Sequence, residues 1–253
     1  VKTSVLGTFG ASVLLAVAVS ACGGPGPQAA ESSPAPSAGS GTTAAGPTAT
    51  ATPTPTPTAK AYTAEELAAI VGQVRDAADR RLTVLPSADI NTTLEQTKSM
   101  LASIDVKPEE CKALAAASTV PSVDGAAMAV GMSNDASTGA VTALSLVAGL
   151  DQSFLSKVAD PSEQLAKCSS MTMTASGMDV SVTVTPVDAG TQPGAVAYRT
   201  DSALPDGRTQ STITAQLVRQ GVVLTSVASG GASEADAVRR AGALLDSAAA
   251  LVK

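Results

Sequence analysis

Apolar positions set the organisation of this chain. They recur at helical spacing, then alternate with polar ones, then return to helical spacing. Leu67, Ile70, Val71 and Val74 lie on one face of a 3.6-residue period. Thr63-Ala64-Glu65-Glu66 stands before them as a capping box, with Tyr62 one place earlier. The spacing predicts a helix that runs on to Arg80-Arg81, where cations in a last turn suit the dipole. Leu82-Thr83-Val84-Leu85 predicts a short strand stopped by Pro86, and Ser87 a cap for a helix carrying Ile90, Leu94, Met100 and Leu101. Lys107-Pro108-Glu109-Glu110-Cys111 predicts a third helix, with Pro108 at its first position and acids in its first turn. On that reading Cys111 and Leu114 share a helix face.

Beyond Pro121 the period changes. Residues 126–132 and 141–147 are apolar runs separated by a turn-rich hexamer, Asn134-Asp135-Ala136-Ser137-Thr138-Gly139, which predicts a hairpin. Residues 151–158 and 161–167 read as helical, ending at Cys168. Val180, Val182 and Val184 alternate with Ser181, Thr183 and Thr185, so one face of a strand is buried and one is wet. Met171 and Met173 begin the same pattern one strand earlier, across Ser176-Gly177. Residues 195–203 predict another strand, and residues 209–219 place Ile213, Ala215 and Leu217 on one side. Gln220-Gly221 is a tight turn into residues 222–227. Ser233 then caps a closing helix with Val238, Ala241, Leu245, Ala248 and Val252 along one stripe, and Arg239-Arg240 on its solvated side.

Helices, then consecutive strands with short connections, then a closing helix define an α+β class. Parallel units would need helical crossovers, and these are mostly missing. The expected architecture is an antiparallel β-sheet with helices packed on one face, water on the other, and a disordered linker in front.

The segment before this domain has a different texture. An apolar run over residues 5–19 ends in Val19-Ser20-Ala21-Cys22, followed at once by Gly23-Gly24-Pro25. It is short for a membrane span and suits the hydrophobic part of a signal peptide. It resembles a bacterial lipoprotein signal, which implies cleavage after residue 21 and acylation of Cys22, including a palmitate-type chain. One chain anchors only marginally, so such anchors carry two or more. After Cys22, residues 23–59 are Gly, Pro, Ala, Ser and Thr apart from Gln28 and one charge, Glu31, and they end in alternating Thr-Pro. Such a segment cannot bury enough apolar surface to offset its ordering entropy. The expected organisation is therefore a signal peptide (1–21), a lipidated N-terminus with a disordered linker (22–59), and one α+β domain (60–253). The linker reaches on the order of 110 Å when extended.

Composition narrows the chemistry. The formal net charge is −6 and no basic patch is evident, so nucleic acid is not an expected partner. The chain has no histidine, which removes Ser-His-Asp and Cys-His catalysis and the usual zinc sites. No Ser stands three residues before a Lys, and no phosphate loop or EF-hand spacing occurs. Glu65-Glu66 and Glu109-Glu110 fit helix-start roles better than paired acid/base work, and Asn134-Asp135 fits a turn better than a cation site. With Cys22 acylated, Cys111 and Cys168 remain, and two cysteines in an exported domain normally pair, two buried thiols being the alternative. Aromatic platforms for stacking on sugars are scarce: beyond the leader only Tyr62, Phe154 and Tyr198 occur. Met100, Met128, Met132, Met171, Met173 and Met178 fill a core or supply an adaptable surface.

The capped helix from Thr63, the Leu82-Thr83-Val84-Leu85-Pro86 segment, Pro108-Glu109-Glu110-Cys111, the later Cys168 and the late run of strands resemble the extracellular sensor domain of PknH-type kinases and the actinobacterial lipoproteins that share it. The resemblance implies an antiparallel sheet backed by helices, a cleft, disulfide bonding, and ligand sensing outside the membrane without catalysis or cofactor. The expected function is a lipid-anchored, extracytoplasmic ligand-sensing or ligand-binding protein of the cell membrane, not an enzyme. The alternative is a carrier holding a lipid or glycolipid in an apolar cavity between sheet and helices. Expected partners are the membrane through Cys22, an unidentified small-molecule, lipid or cell-envelope ligand, and a membrane-spanning protein. No motif selects the ligand-binding residues.

Overall fold

A computed structural model describes residues 61–112, 125–175, 177–190 and 192–253. The leader, Cys22, the linker and Leu114 lie outside them. The elements run β1 (Thr83–Val84), β2 (Asp105–Lys107), β3 (Ala127–Asp135), β4 (Ala140–Ala148), β5 (Ser170–Ala175), β6 (Met178–Pro186), β7 (Val196–Ala203), β8 (Thr209–Arg219) and β9 (Val222–Ser229). The helices are α1 (Ala64–Gln73), α2 (Ser87–Ala102), α3 (Gln152–Ala159), α4 (Ser162–Lys167) and α5 (Glu234–Leu251). The strands form one sheet in the order β1-β3-β4-β9-β8-β7-β6-β5-β2, antiparallel at every pairing. The α+β class and the antiparallel sheet are as the periodicity predicts.

The helix stripes bury as read. Thr63 Oγ1 accepts the Glu66 N–H at 3.2 Å, and Glu66 Oε2 accepts the Thr63 N–H at 2.9 Å, completing the capping box. Leu67, Ile70 and Val71 of α1 and Ala241, Leu244, Leu245 and Ala248 of α5 then cover what we call the front face of β3, β4, β8 and β9. That face presents Leu144 and Leu146, Ile213, Ala215 and Leu217, and Leu224. Each Leu or Ile among them, fully buried, is worth roughly 1.5–3 kcal/mol. Two glycines make the approach possible. A Cβ on Gly131 would lie 2.4 Å from a Val71 methyl, and one on Gly242 would lie 1.8 Å from the Ala189 carbonyl oxygen. The β6–β7 connection thus packs directly on α5, and Val187, Ala189 and Ala195 join the front core. Tyr62 closes the corner: its hydroxyl donates to the Lys253 carbonyl at 2.6 Å and accepts the Lys253 N–H at 3.0 Å.

Several local expectations are corrected. Helix α1 stops at Gln73, well before Arg80-Arg81. The cause is Asp76, whose buried carboxylate accepts the N–H groups of Ala78 and Arg80 at 2.9 Å each. Such side chain-to-backbone bonds offer the chain an alternative to helix, and Asp79 turns it through a positive φ of 61°. The third helix begins as a 3-10 turn over Glu109–Cys111, its continuation lying outside the described residues. Strand β2, which no alternation announces, precedes it and pairs Val106 with Met173. Arg240 is not on a solvated side. It is 8% exposed and donates to the carbonyls of Val141, Ser229 and Gly230 while pairing with Asp236 at 2.9 Å. It thereby ties the ends of β4 and β9 to the start of α5.

The opposite, back face carries cover as well. Leu155 and Val158 of α3 pack on Val147 and Val223, the register neighbours of the front-facing Leu146 and Leu224. At the other end of the sheet Ile104, Val106, Cys111 and Cys168 pack on Met171, Val182, Val184 and Tyr198. Between these two apolar patches the back face carries other side chains, several of them polar and buried.

Candidate functional site

The register identifies what that stretch contains. Ser145 pairs with Thr225, Thr225 with Gln216, Ala143 with Val227, Val227 with Thr214, and Thr214 with Tyr198, so all of these side chains share the back face. Thr212 follows one row on, opposite Ser229 and Thr200. Ser145, Thr212, Thr214, Gln216 and Thr225 are buried, between 3% and 9% exposed. Val130, Met132, Val141, Ala143 and Ser229 around them are half-buried. Half-buried apolar side chains on β3 and β4 thus border a buried polar row on β9 and β8, which ends at the Tyr198 phenol.

Strand β8 therefore has two buried faces of different chemistry. Ile213, Ala215 and Leu217 are greasy, while Thr212, Thr214 and Gln216 are polar. A sheet face buried only for stability has no need of hydroxyls, because each polar group must find a partner to offset its desolvation. Partners are present. Gln216 Nε2 donates to Thr225 Oγ1 at 3.3 Å, and the Tyr198 hydroxyl is hydrogen-bonded with Thr214. Burial pushes the Tyr198 phenol well above its ordinary range, the Thr214 bond opposing this, so the group is a neutral hydrogen-bonding hydroxyl at every physiological pH.

The faces also divide the charge. Asp105, Lys107, Asp135, Asp179, Arg199, Asp201 and Arg219, the charged residues of the described strands, all fall on the front-face register. None falls on the back face. The charged side chains of α3 and α4, namely Lys157, Glu163 and Lys167, are exposed, and Lys167 pairs with Glu163 at 2.7 Å.

Elsewhere the titratable groups are accounted for by structure. Burial raises the Asp76 pKa, but the Ser133 hydroxyl, the Arg80 N–H, the Arg80 guanidinium and the Ala78 N–H outweigh it and bring it down to about 2. Asp135, one of the turn residues, accepts the Ser137 hydroxyl and N–H, which lower its pKa, and lies 3.5 Å from Arg80. Glu65 lies exposed in the first turn of α1, its pKa lowered by its backbone N–H and Thr63. Arg80 is half-exposed and Arg81 exposed. Among the described residues no three His, Cys, Asp or Glu side chains gather as a metal site, and no helix is long and apolar enough to cross a membrane.

Cys111 and Cys168 are joined in a disulfide, with Cα atoms 5.6 Å apart. Both are buried, and they clamp the 3-10 turn to the end of α4 over Tyr198 and Val184. The buried polar row is not legible in the sequence: Thr212, Thr214 and Gln216 alternate with apolar residues and read as a wet face. The one available signal was an absence, the lack of any charged residue at those alternate positions.

No protein-family model and no curated protein matches this chain. Two solved structures are similar to it. One is the extracellular domain of PknH from Mycobacterium tuberculosis, at a TM-score of 0.44 and 14% identity, covering 75% of this chain and 98% of that one. The other is a putative uncharacterized protein, an Rv0999 ortholog, from Mycobacterium smegmatis, at 0.42 and 15%, covering 78% of this chain and 98% of that one. The extracellular domain of PknH, whose family the sequence resembles, is thus among the solved structures similar to this chain.

Proposed function

We propose that residues 60–253 are a ligand-binding or sensing module without catalytic activity, held on the extracytoplasmic side of the cell membrane by acyl chains on Cys22. The supporting observation is the buried polar row of Ser145, Thr214, Gln216 and Thr225 beside half-buried apolar side chains, on a face that stability alone would fill with Val and Leu. Hydroxyls and an amide gathered on one face, with no nucleophile–base pair beside them among the described residues, suit recognition rather than bond-breaking. If the module signals, the signal passes to a membrane-spanning protein partner. A carrier of a lipid or glycolipid is the second reading. It is favoured by the half-buried Met128, Leu150 and Phe154 where α3 meets the sheet, which give an apolar arm somewhere to lie.

Mass spectrometry of the native full chain, with extraction of what co-purifies, tests the binding reading. A bound molecule lost in a Gln216→Leu/Thr225→Val variant supports it. Retention in that variant, or failure to bind any fraction of a cell-envelope extract, refutes it. For the anchor, labelled palmitate should enter the wild-type chain and not Cys22→Ser.

A further inference from the structure

We infer that α2 is a strap: it lifts off the back of the sheet and settles again while both of its ends and the rest of the domain stay folded. Nothing in this depends on what the polar row binds. The chain is pinned on either side of α2, and little holds the helix between the pins. Strands β1 and β2 stand at opposite edges of the sheet, and α2 is the connection from one to the other. Before it, Thr83 and Val84 pair with Met132 and Gly131, and the Leu85 N–H donates to the Val130 carbonyl at 2.9 Å. After it, Val106 pairs with Met173 beside the buried disulfide. Helix α2 packs on β3, whose front is taken by Val71 and Leu82 at Gly131, so the helix meets that strand from behind.

The hold on α2 is light. Ile90, Leu94 and Thr97 follow one stripe of the helix. Ile90 is 6% exposed, Leu94 and Thr97 are half-buried, and Met100 is 40% exposed. In α1, by contrast, Leu67, Ile70 and Val71 are all buried, as are Leu244, Leu245 and Ala248 in α5. The polar side chains of α2 bond inward along the helix. The Thr92 hydroxyl donates to the Ala88 carbonyl, the Thr97 hydroxyl donates to the Thr93 carbonyl, and Lys98 pairs with Glu95 at 2.9 Å. Asp89 is exposed in the first turn. These bonds travel with the helix and do not tie it down. Asn, Thr and Ser are poor helix formers, so off the sheet a helix of this length and composition is marginal, and lifting and melting are one event. Segments with few buried apolar side chains open well below the free energy of global unfolding. The opening brings the half-buried Val130 and Met132 into water and gives the domain a second form.

Hydrogen exchange of the full chain, read by mass spectrometry in rising sub-denaturing urea, tests the strap. After correction for intrinsic rates, the amides of α2 are expected to exchange at least about a hundredfold faster than those of β8 and β9. Their rate should be nearly insensitive to urea, because a strap exposes little surface when it opens. Ile90→Ala removes the deepest contact and should speed exchange in α2 at least about tenfold while leaving β8 and β9 as they are. Gln96→Gly, at an exposed position, weakens the helix alone and should speed it about threefold. In Ile90→Ala a methyl-labelled Met132 should shift, and Met178, exposed at the β5–β6 turn, should not. If α2 exchanges together with β8 and β9 and with the same urea dependence, or if both variants speed all three alike, the helix is part of the core and there is no strap. An unmoved Met132 would take α2 off the back of β3 and overturn the strap as well.

Discussion

The two faces of strands β8 and β9 are buried to a similar degree and built from opposite materials. On the front, Ile213, Ala215, Leu217 and Leu224 meet α5 with no polar atom to satisfy, apart from Ser226, whose hydroxyl donates to the Ala241 carbonyl at 2.7 Å. On the back, one residue out of phase, Thr212, Thr214, Gln216 and Thr225 are hidden as thoroughly. The difference teaches what each face is for. Apolar burial stabilises in proportion to area, whereas a buried hydroxyl roughly breaks even once bonded. On these two strands the front face supplies the apolar burial, and the polar row of the back face contributes little to stability.

The contrast can be broken or sharpened by substitution. Replacing both Cys111 and Cys168 by Ala removes the clamp at the far end of the back face and should cost the most, about 4 kcal/mol in the chain-entropy picture for a 57-residue separation. Chemical denaturation would show it, and hydrogen exchange should place the loosening around Tyr198 and Val184. Leu224→Ala opens a cavity in the front core and should cost about 3 kcal/mol by urea unfolding. Asp76→Asn should cost about 1–2 kcal/mol at neutral pH. The sign follows from its lowered pKa. Its contribution is complete above pH 3.8 and is lost as pH falls through about 2, so wild type and variant should converge in acid denaturation below that point. The smallest effect belongs to the polar row of the back face. Gln216→Leu/Thr225→Val removes both partners of one hydrogen bond, so stability should change by less than about 1 kcal/mol while binding fails. A loss as large as that of Leu224→Ala would erase the distinction between the faces.

Much of this picture was written in the chain's periodicity. Leu67, Ile70 and Val71 after a capping box, the alternation of Val180, Val182 and Val184, and Gln220-Gly221, both at positive φ, locate their elements because each pattern is local. What escaped depends on neighbours distant in sequence. Arg240 looks solvated on a helical wheel and is buried because three carbonyls from β4, β9 and the following turn converge on it. Asp76 looks like a surface acid and is buried because Ser133, 57 positions away, bonds it. The polar alternation of β8 implies water until the register sets α3 on one side of it and the disulfide clamp on the other. Strand β2 is three residues long, too short for any period to declare.

The bond between Tyr62 and Lys253 brings positions 191 apart in sequence to one corner. A short bridge could therefore join them, and the loop could be opened instead at the exposed Asp206-Gly207 bend. Such a rearranged chain should still reach the same arrangement of strands, because their partners are chosen by the match of side chains across the pleat and not by the order of synthesis.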